Sequence, residues 1–136
     1  MGKLADLISQ GFGLAEDYNC AEKIIYGANQ VYDLGLDPAA CKLAAGFGAG
    51  CGIGHLCGAL AAGCMVLSHR YVRQRAHESN LIPQKTDVFL HGFEQQMGSL
   101  MCENLKRQYR TEEKKCYDVI YAAALALDQV LAAETA

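Results

Sequence analysis

The chain has 136 residues, a length that suits one domain with a substantial core. Its composition, 51% hydrophobic and 20% charged, is that of an ordinary globular protein and excludes intrinsic disorder. The net charge of −3 is spread over both signs with no basic block, which excludes a nucleic-acid binder.

The opening Met1-Gly2-Lys3-Leu4-Ala5-Asp6-Leu7 is interrupted by Asp6 and then by Gln10, so it lacks the apolar run of a secretory signal. Gly2 is not a myristoylation site, because Asp6 stands where that signal needs Ser or Thr. Leu4, Leu7, Ile8 and Gly11 form a first short apolar stripe at helical spacing. A second helix opens at Asn19, with Glu22 as capping-box partner and Cys20, Ile24, Ala28 and Val31 as its inward stripe. The Gly35-Leu36-Asp37-Pro38 turn ends it and starts a short third helix, with Asp37 as N-cap and Pro38 at the first helical position. This dissolves into Gly46-Phe47-Gly48-Ala49-Gly50-Cys51-Gly52-Ile53-Gly54, too rich in glycine to be regular.

A fourth helix is predicted from about His55 to Arg73, with Cys57, Leu60, Ala61, Cys64, Leu67 and Tyr71 as its stripe. The stretch from Gly46 to Leu67 is long and nearly uncharged. It is dominated by Gly, Ala and Cys rather than large apolar residues, so it reads as a glycine loop and buried helix of a soluble protein, not a membrane span. Polar residues from Arg73 to Gln84 form a linker, and Thr86 to Met97 a fifth helix. Ser99 caps a further turn containing Cys102, Leu105 and Tyr109. Thr111 caps the last helix, with Cys116, Val119, Ile120, Ala123, Leu127 and Val130 facing inward. No alternating β-branched run occurs. The fold expected is all-α: a compact bundle of about five to six helices with a glycine-rich loop, one domain over residues 1–136.

Seven cysteines are many for such a chain. Without an export signal the expected location is cytoplasmic, where thiols stay reduced, so metal binding or redox chemistry is the default reading and a disulfide framework is not. No Cys-x-x-Cys pair occurs, which excludes zinc-ribbon, thioredoxin-type and c-type haem motifs. Cys20, Cys57, Cys102 and Cys116 each fall near the start of a predicted helix on its apolar face. The positive end of the helix dipole there favours thiolate, hence nucleophile or metal ligand. In an up-and-down bundle these helix starts meet at one end, which makes the four cysteines one candidate metal site.

Cys41 and Cys64 read as core filler; Cys64 lies about 10.5 Å along the helix from Cys57, too far to share a metal or disulfide with it. Cys51 sits in the glycine loop, close enough in sequence to swing beside Cys57 as ligand or resolving thiol. His55 is read as a cap or surface residue before a ligand, and His69, His77 and His91 as solvated. The glycine loop lacks the Gly-Lys-Ser/Thr of a nucleotide site. Gly50, Gly52 and Gly54 are instead the candidate cofactor-binding positions, where backbone amides approach whatever the thiolates hold.

Asn19-Cys20-Ala21-Glu22, the run Gly46-Phe47-Gly48-Ala49-Gly50 leading to Cys57-Gly58-Ala59-Leu60, Gly98-Ser99-Leu100-Met101-Cys102, and Cys116 together carry a resemblance. In this order the chain resembles a bacterial and archaeal family of redox-active proteins defined by four cysteines and a Cys-Gly-Ala-x-x-Gly signature. The signature's last glycine falls on Ala62, with Gly63 one step later, and Cys51 and Cys64 are additions to the pattern. The family is similar to the iron–sulfur domain of split-Soret cytochromes c, and this resemblance implies a [2Fe–2S] cluster or another metal on the four thiolates. Three functions are then open: electron transfer or sensing with such a centre, metal-free thiol–disulfide or peroxide chemistry, and a helical interaction module with buried thiols. The partner expected is a redox partner, with a homodimer left open and neither nucleic acid nor membrane involved.

Overall fold

The strongest local signal, the capping box at Asn19, is formed in the computed structural model, which describes residues 2–133. The Asn19 side chain accepts from the Glu22 amide at 2.9 Å, and the Glu22 carboxylate accepts from the Asn19 amide at 2.8 Å. Helix α2 (Cys20–Val31) follows from it, after a short α1 (Lys3–Ser9). Asp37 accepts from the Ala40 amide at 2.9 Å and so caps the one-turn α3 (Pro38–Cys41), which runs on as a 3-10 turn over Lys42–Phe47. Four more helices complete the chain: α4 (Gly58–Tyr71), α5 (Leu81–Met97), α6 (Cys102–Tyr109) and α7 (Tyr117–Ala133). Among the described residues there are seven α-helices and no strand, one helix more than the upper end expected. The single domain expected over 1–136 extends slightly beyond the described residues at both ends.

Three helix starts differ from the sequence reading, each for a definite physical reason. Helix α4 begins at Gly58 and not at His55. The Cys57 amide donates to the Leu100 carbonyl at 2.9 Å and the Cys102 amide to the His55 carbonyl at 2.6 Å, which holds residues 55–57 extended against 100–102. Helix α5 begins at Leu81, taking in the end of the expected linker, because Pro83 falls in the first turn where a missing N–H costs no helical bond. Helix α7 begins at Tyr117 and not after Thr111. The Thr111 hydroxyl does accept from the Lys114 amide at 3.0 Å, but the Thr111 and Lys115 backbones then bond to each other and close a tight turn, with Lys115 at φ 54. Ser99 accepts from the Met101 amide at 3.0 Å, one residue before α6 proper.

Helix α4 lies at the centre, packed on α2, α5 and α7. Small residues make this possible. A Cβ on Gly63 would lie 2.5 Å from the Phe89 ring, so the ring of α5 seats in a notch that only glycine leaves open. Ala62, at the signature position, is fully buried beside it. Gly63, one step late in the pattern, thus serves the close packing. No helix among the described residues is long and apolar enough to cross a membrane.

The two ends of the chain are tied by a buried carboxylate that no pattern announced. Asp128, on α7, is 2% exposed and accepts from the Leu4 amide at 3.0 Å and the Ala5 amide at 2.9 Å. It thus caps the first turn of α1, whose amides have no helical partner, from a distant helix. The Tyr32 hydroxyl, directly after the end of α2, donates to the same carboxylate in a short contact. Burial first, and then this bond, push the Tyr32 phenol well above its ordinary range. Replacing Asp128 with Ala strands two buried amides and a hydroxyl, and should lower stability by roughly 2–4 kcal/mol in urea denaturation. A loss below about 1 kcal/mol would mean that water reaches these groups.

Candidate functional site

Each of the four cysteines singled out by the sequence stands at the first residue of a helix or directly before one. Cys20 opens α2 and Cys102 opens α6. Cys57 directly precedes α4, its carbonyl accepting from the Leu60 and Ala61 amides at 3.0 Å; Cys116 directly precedes α7, its carbonyl accepting from Ile120 at 3.0 Å. All four line one cavity of about 500 Å³. Cys57 is 4% and Cys102 7% exposed, while Cys20 and Cys116 are half-buried. The expected meeting of the four helix starts is therefore found. All seven thiols are free, and among the described residues no group of three or more His, Cys, Asp or Glu side chains is arranged as a ready metal-binding set. The four thiols share a cavity wall without closing on a single point.

Close backbone approaches bring them together. A Cβ on Gly58 would lie 2.5 Å from the Phe47 carbonyl oxygen and 2.8 Å from the Cys20 sulfur, so α4 starts hard against the start of α2. The pairing of residues 55–57 with 100–102 then carries the start of α6 to the same place.

The glycine loop makes a tight backbone turn against the start of α6. Ala49, Gly50, Cys51 and Gly52 are successive left-handed residues, at φ 57, 61, 60 and 78. A Cβ on Gly50 would lie 2.5 Å from the His55 amide nitrogen and 2.8 Å from the Cys102 Cβ, so this glycine lets the loop close on α6. Gly52 faces open space and Gly54 lies beside Glu103. Among the described residues the cavity is lined by Ala49 of this loop and not by Gly50, Gly52 or Gly54, because the glycines are spent on the backbone turn itself. Cys51 is exposed and off the cavity; Cys41 is buried and Cys64 half-buried, each elsewhere in the fold. His55 acts through its backbone, and its side chain is exposed outside the cavity.

The sequence reading missed the cations. Lys23, Lys106, Arg110 and Lys115 all line the cavity. The Arg110 guanidinium donates from Nη1 to the Cys116 sulfur at 3.2 Å. A signal for part of this was present: Cys102, Lys106 and Arg110 repeat at helical spacing, so a cysteine on the inner face carries basic residues with it.

Burial and charge compete at the thiols, and burial wins at two of them. Removal from water, and next the neighbouring Cys20, push the Cys57 thiol up to about 12 against the opposing pull of the Leu60 and Ala59 amides. Burial likewise raises Cys102, although Lys106 and Arg110 pull it down. The half-charge at a helix start is too small to offset desolvation. The early thiolate expected from the helix dipole is therefore not found at Cys57 or Cys102.

These features define a cysteine-rich, all-helical redox protein. The chain belongs to the family described as "Putative redox-active protein (C_GCAxxG_C_C)", whose model matches residues 18–130. The Cys-Gly-Ala-x-x-Gly expected of this family falls on Cys57-Gly58-Ala59-Leu60-Ala61-Ala62, with Ala62 in place of the last glycine and Gly63 one step later. No curated protein and no solved structure matches the chain.

Gly58→Ala should force α4 away from α2 and separate Cys20 from Cys57. The expected outcome is a folded but less stable protein with faster alkylation of Cys57; unchanged alkylation would show that the backbone yields without opening the cavity. The Cys57 shift sets a pH dependence. The folded thiol holds its proton more tightly than the unfolded one, so its stabilising effect is complete below the ordinary 9.0 and is lost as pH climbs towards about 12. Reduced, metal-free protein should lose stability across that window with a slope of at most about 1.4 kcal/mol per pH unit for this group. Cys57→Ser should flatten the dependence in denaturation series at several pH values, and an unaltered slope would assign the loss to other groups.

Proposed function

We propose that the protein is an electron-transfer or redox-sensing protein of the cytoplasm that exchanges electrons with a redox partner through a centre held by Cys20, Cys57, Cys102 and Cys116. The observation that carries this reading is that four cysteines from four different helix starts open on one cavity. The donor chemistry fits: four thiolates are the ligand set of a [2Fe–2S] cluster, and soft sulfur also suits other thiolate-bound metals. The surroundings fit as well, since helix-terminal amides with Lys106 and Arg110 offset the negative charge that four thiolates bring. No ready set of three donors is present among the described residues, so loading requires side-chain rotation about the cavity wall. When bound, such a centre supplies one-electron transfer.

The chain's own residues do the remaining work. Gly58 and the pairing of 55–57 with 100–102 hold the sulfurs around the cavity. Burial keeps Cys57 and Cys102 protonated in the metal-free protein, which makes them poor attacking thiols, whereas a metal ion can displace those protons. One observation favours a second reading, metal-free thiol–disulfide exchange: Arg110 donates to the Cys116 sulfur at 3.2 Å, which suits an attacking thiolate there.

Anaerobic purification with iron, zinc and sulfide analysis and a visible spectrum separates the two. Any single Cys→Ser change among the four should remove most of the bound metal, while Cys64→Ser and Cys41→Ser should retain it and cost only packing. Under the exchange reading no metal copurifies, and two of the four replacements are silent for disulfide formation. Neither metal nor a cycling disulfide would leave the interaction module.

A further inference from the structure

The cavity has more room than a thiolate centre uses. Its volume of about 500 Å³ falls among small-molecule pockets, typically about 300–1,000 Å³, whereas a metal with sulfur ligands at about 2.3 Å fills a small part of that. Its walls divide into two kinds. Leu105, Val119 and Ile120 supply an apolar surface, with the exposed Leu14 beside it. Lys23, Lys106, Arg110 and Lys115 supply positive charge, and among the described lining residues Asp17 is the one carboxylate. Lys115 also stands 3.8 Å from Glu112, an exposed pair that leaves the balance around the cavity positive. Two of the cations are positioned by contacts. A Cβ on Gly13 would lie 2.8 Å from the Lys23 side chain, so the glycine makes room for the lysine stem to cross it. Arg110 is anchored on the Cys116 sulfur.

We propose that this cavity binds a small organic anion, an apolar body with a carboxylate or similar oxyanion head, whose head meets the cations and whose body lies on the apolar wall beside the thiols. This deepens the reading of the cavity as the redox site by naming the class of molecule that reaches it, and takes nothing from that reading about metal. The apolar wall contributes by removing surface from water, and the cations select the sign of the guest.

The test uses the reduced, metal-free full chain and two probes with the same ring and opposite charge, 1-naphthalenesulfonate and 1-naphthylmethylammonium, in isothermal titration calorimetry. The anion should bind, more weakly as salt is added, and the cation should bind at least about tenfold less well. The double change Lys106→Gln with Lys115→Gln should weaken anion binding by about tenfold, while Lys42→Gln, outside the cavity, should leave it unchanged. Bound anion should slow alkylation of Cys20 and Cys116 by neutral iodoacetamide and leave the exposed Cys51 unaffected. Equal binding of both probes, no effect of the lysine changes, or equal protection of Cys51 would each overturn the proposal. Anion binding in a protein that never carries metal supports the proposal and counts against the cluster; a metal-loaded protein whose metal-free form ignores the anion does the reverse.

Discussion

The approach of α4 to α2 at Gly58 is the constraint on which the site depends. The hydrogen in place of a side chain lets the Phe47 carbonyl and the Cys20 sulfur occupy the space where a Cβ would stand. Three segments meet there: the start of α2, the end of the 3-10 turn and the start of α4. Once α4 begins at that point, Cys57 must lie beside Cys20. The backbone bonds from Cys57 to Leu100 and from Cys102 to His55 then bring in α6 as a consequence. A cavity walled by thiols is thus the product of close backbone packing as much as of the cysteines themselves.

That packing also sets the chemistry. Sulfur brought so close to backbone loses water, and loss of water opposes the thiolate more strongly than helix amides and nearby cations favour it at Cys57 and Cys102. The adjoining loop stores some cost of its own. Ala49 and Cys51 hold left-handed backbone, at about 1–2 kcal/mol each, and the fit of Gly50 between His55 and Cys102 is what the loop gains in return.

Away from the site the frame is held by two other exact fits of small and buried groups. Gly63 admits the Phe89 ring and fixes α5 on α4. Asp128 joins α7 to the first turn of α1 and, through Tyr32, to α2. Both hold the helices packed around α4 in place.

Helix periodicity and capping residues were enough to determine the all-α class and the starts of α2 and α3, because Asn19 with Glu22 and Asp37 with Pro38 act on their own next turn. The candidate cysteines were also legible, since position at a helix start is a local property. The start of α4 was not: it depends on bonds to residues 100–102, more than forty positions away. Most of the cation lining was visible, as Lys106 and Arg110 share a face with Cys102 and Lys23 shares one with Cys20, while Lys115 reaches the cavity through the tight turn before α7. Asp128 could not be recognised as a cap, because the helix it caps lies at the other end of the chain. The effect of burial on the thiols likewise belongs to the tertiary structure alone, because a chain pattern shows which helix end a sulfur occupies but not how much water remains around it.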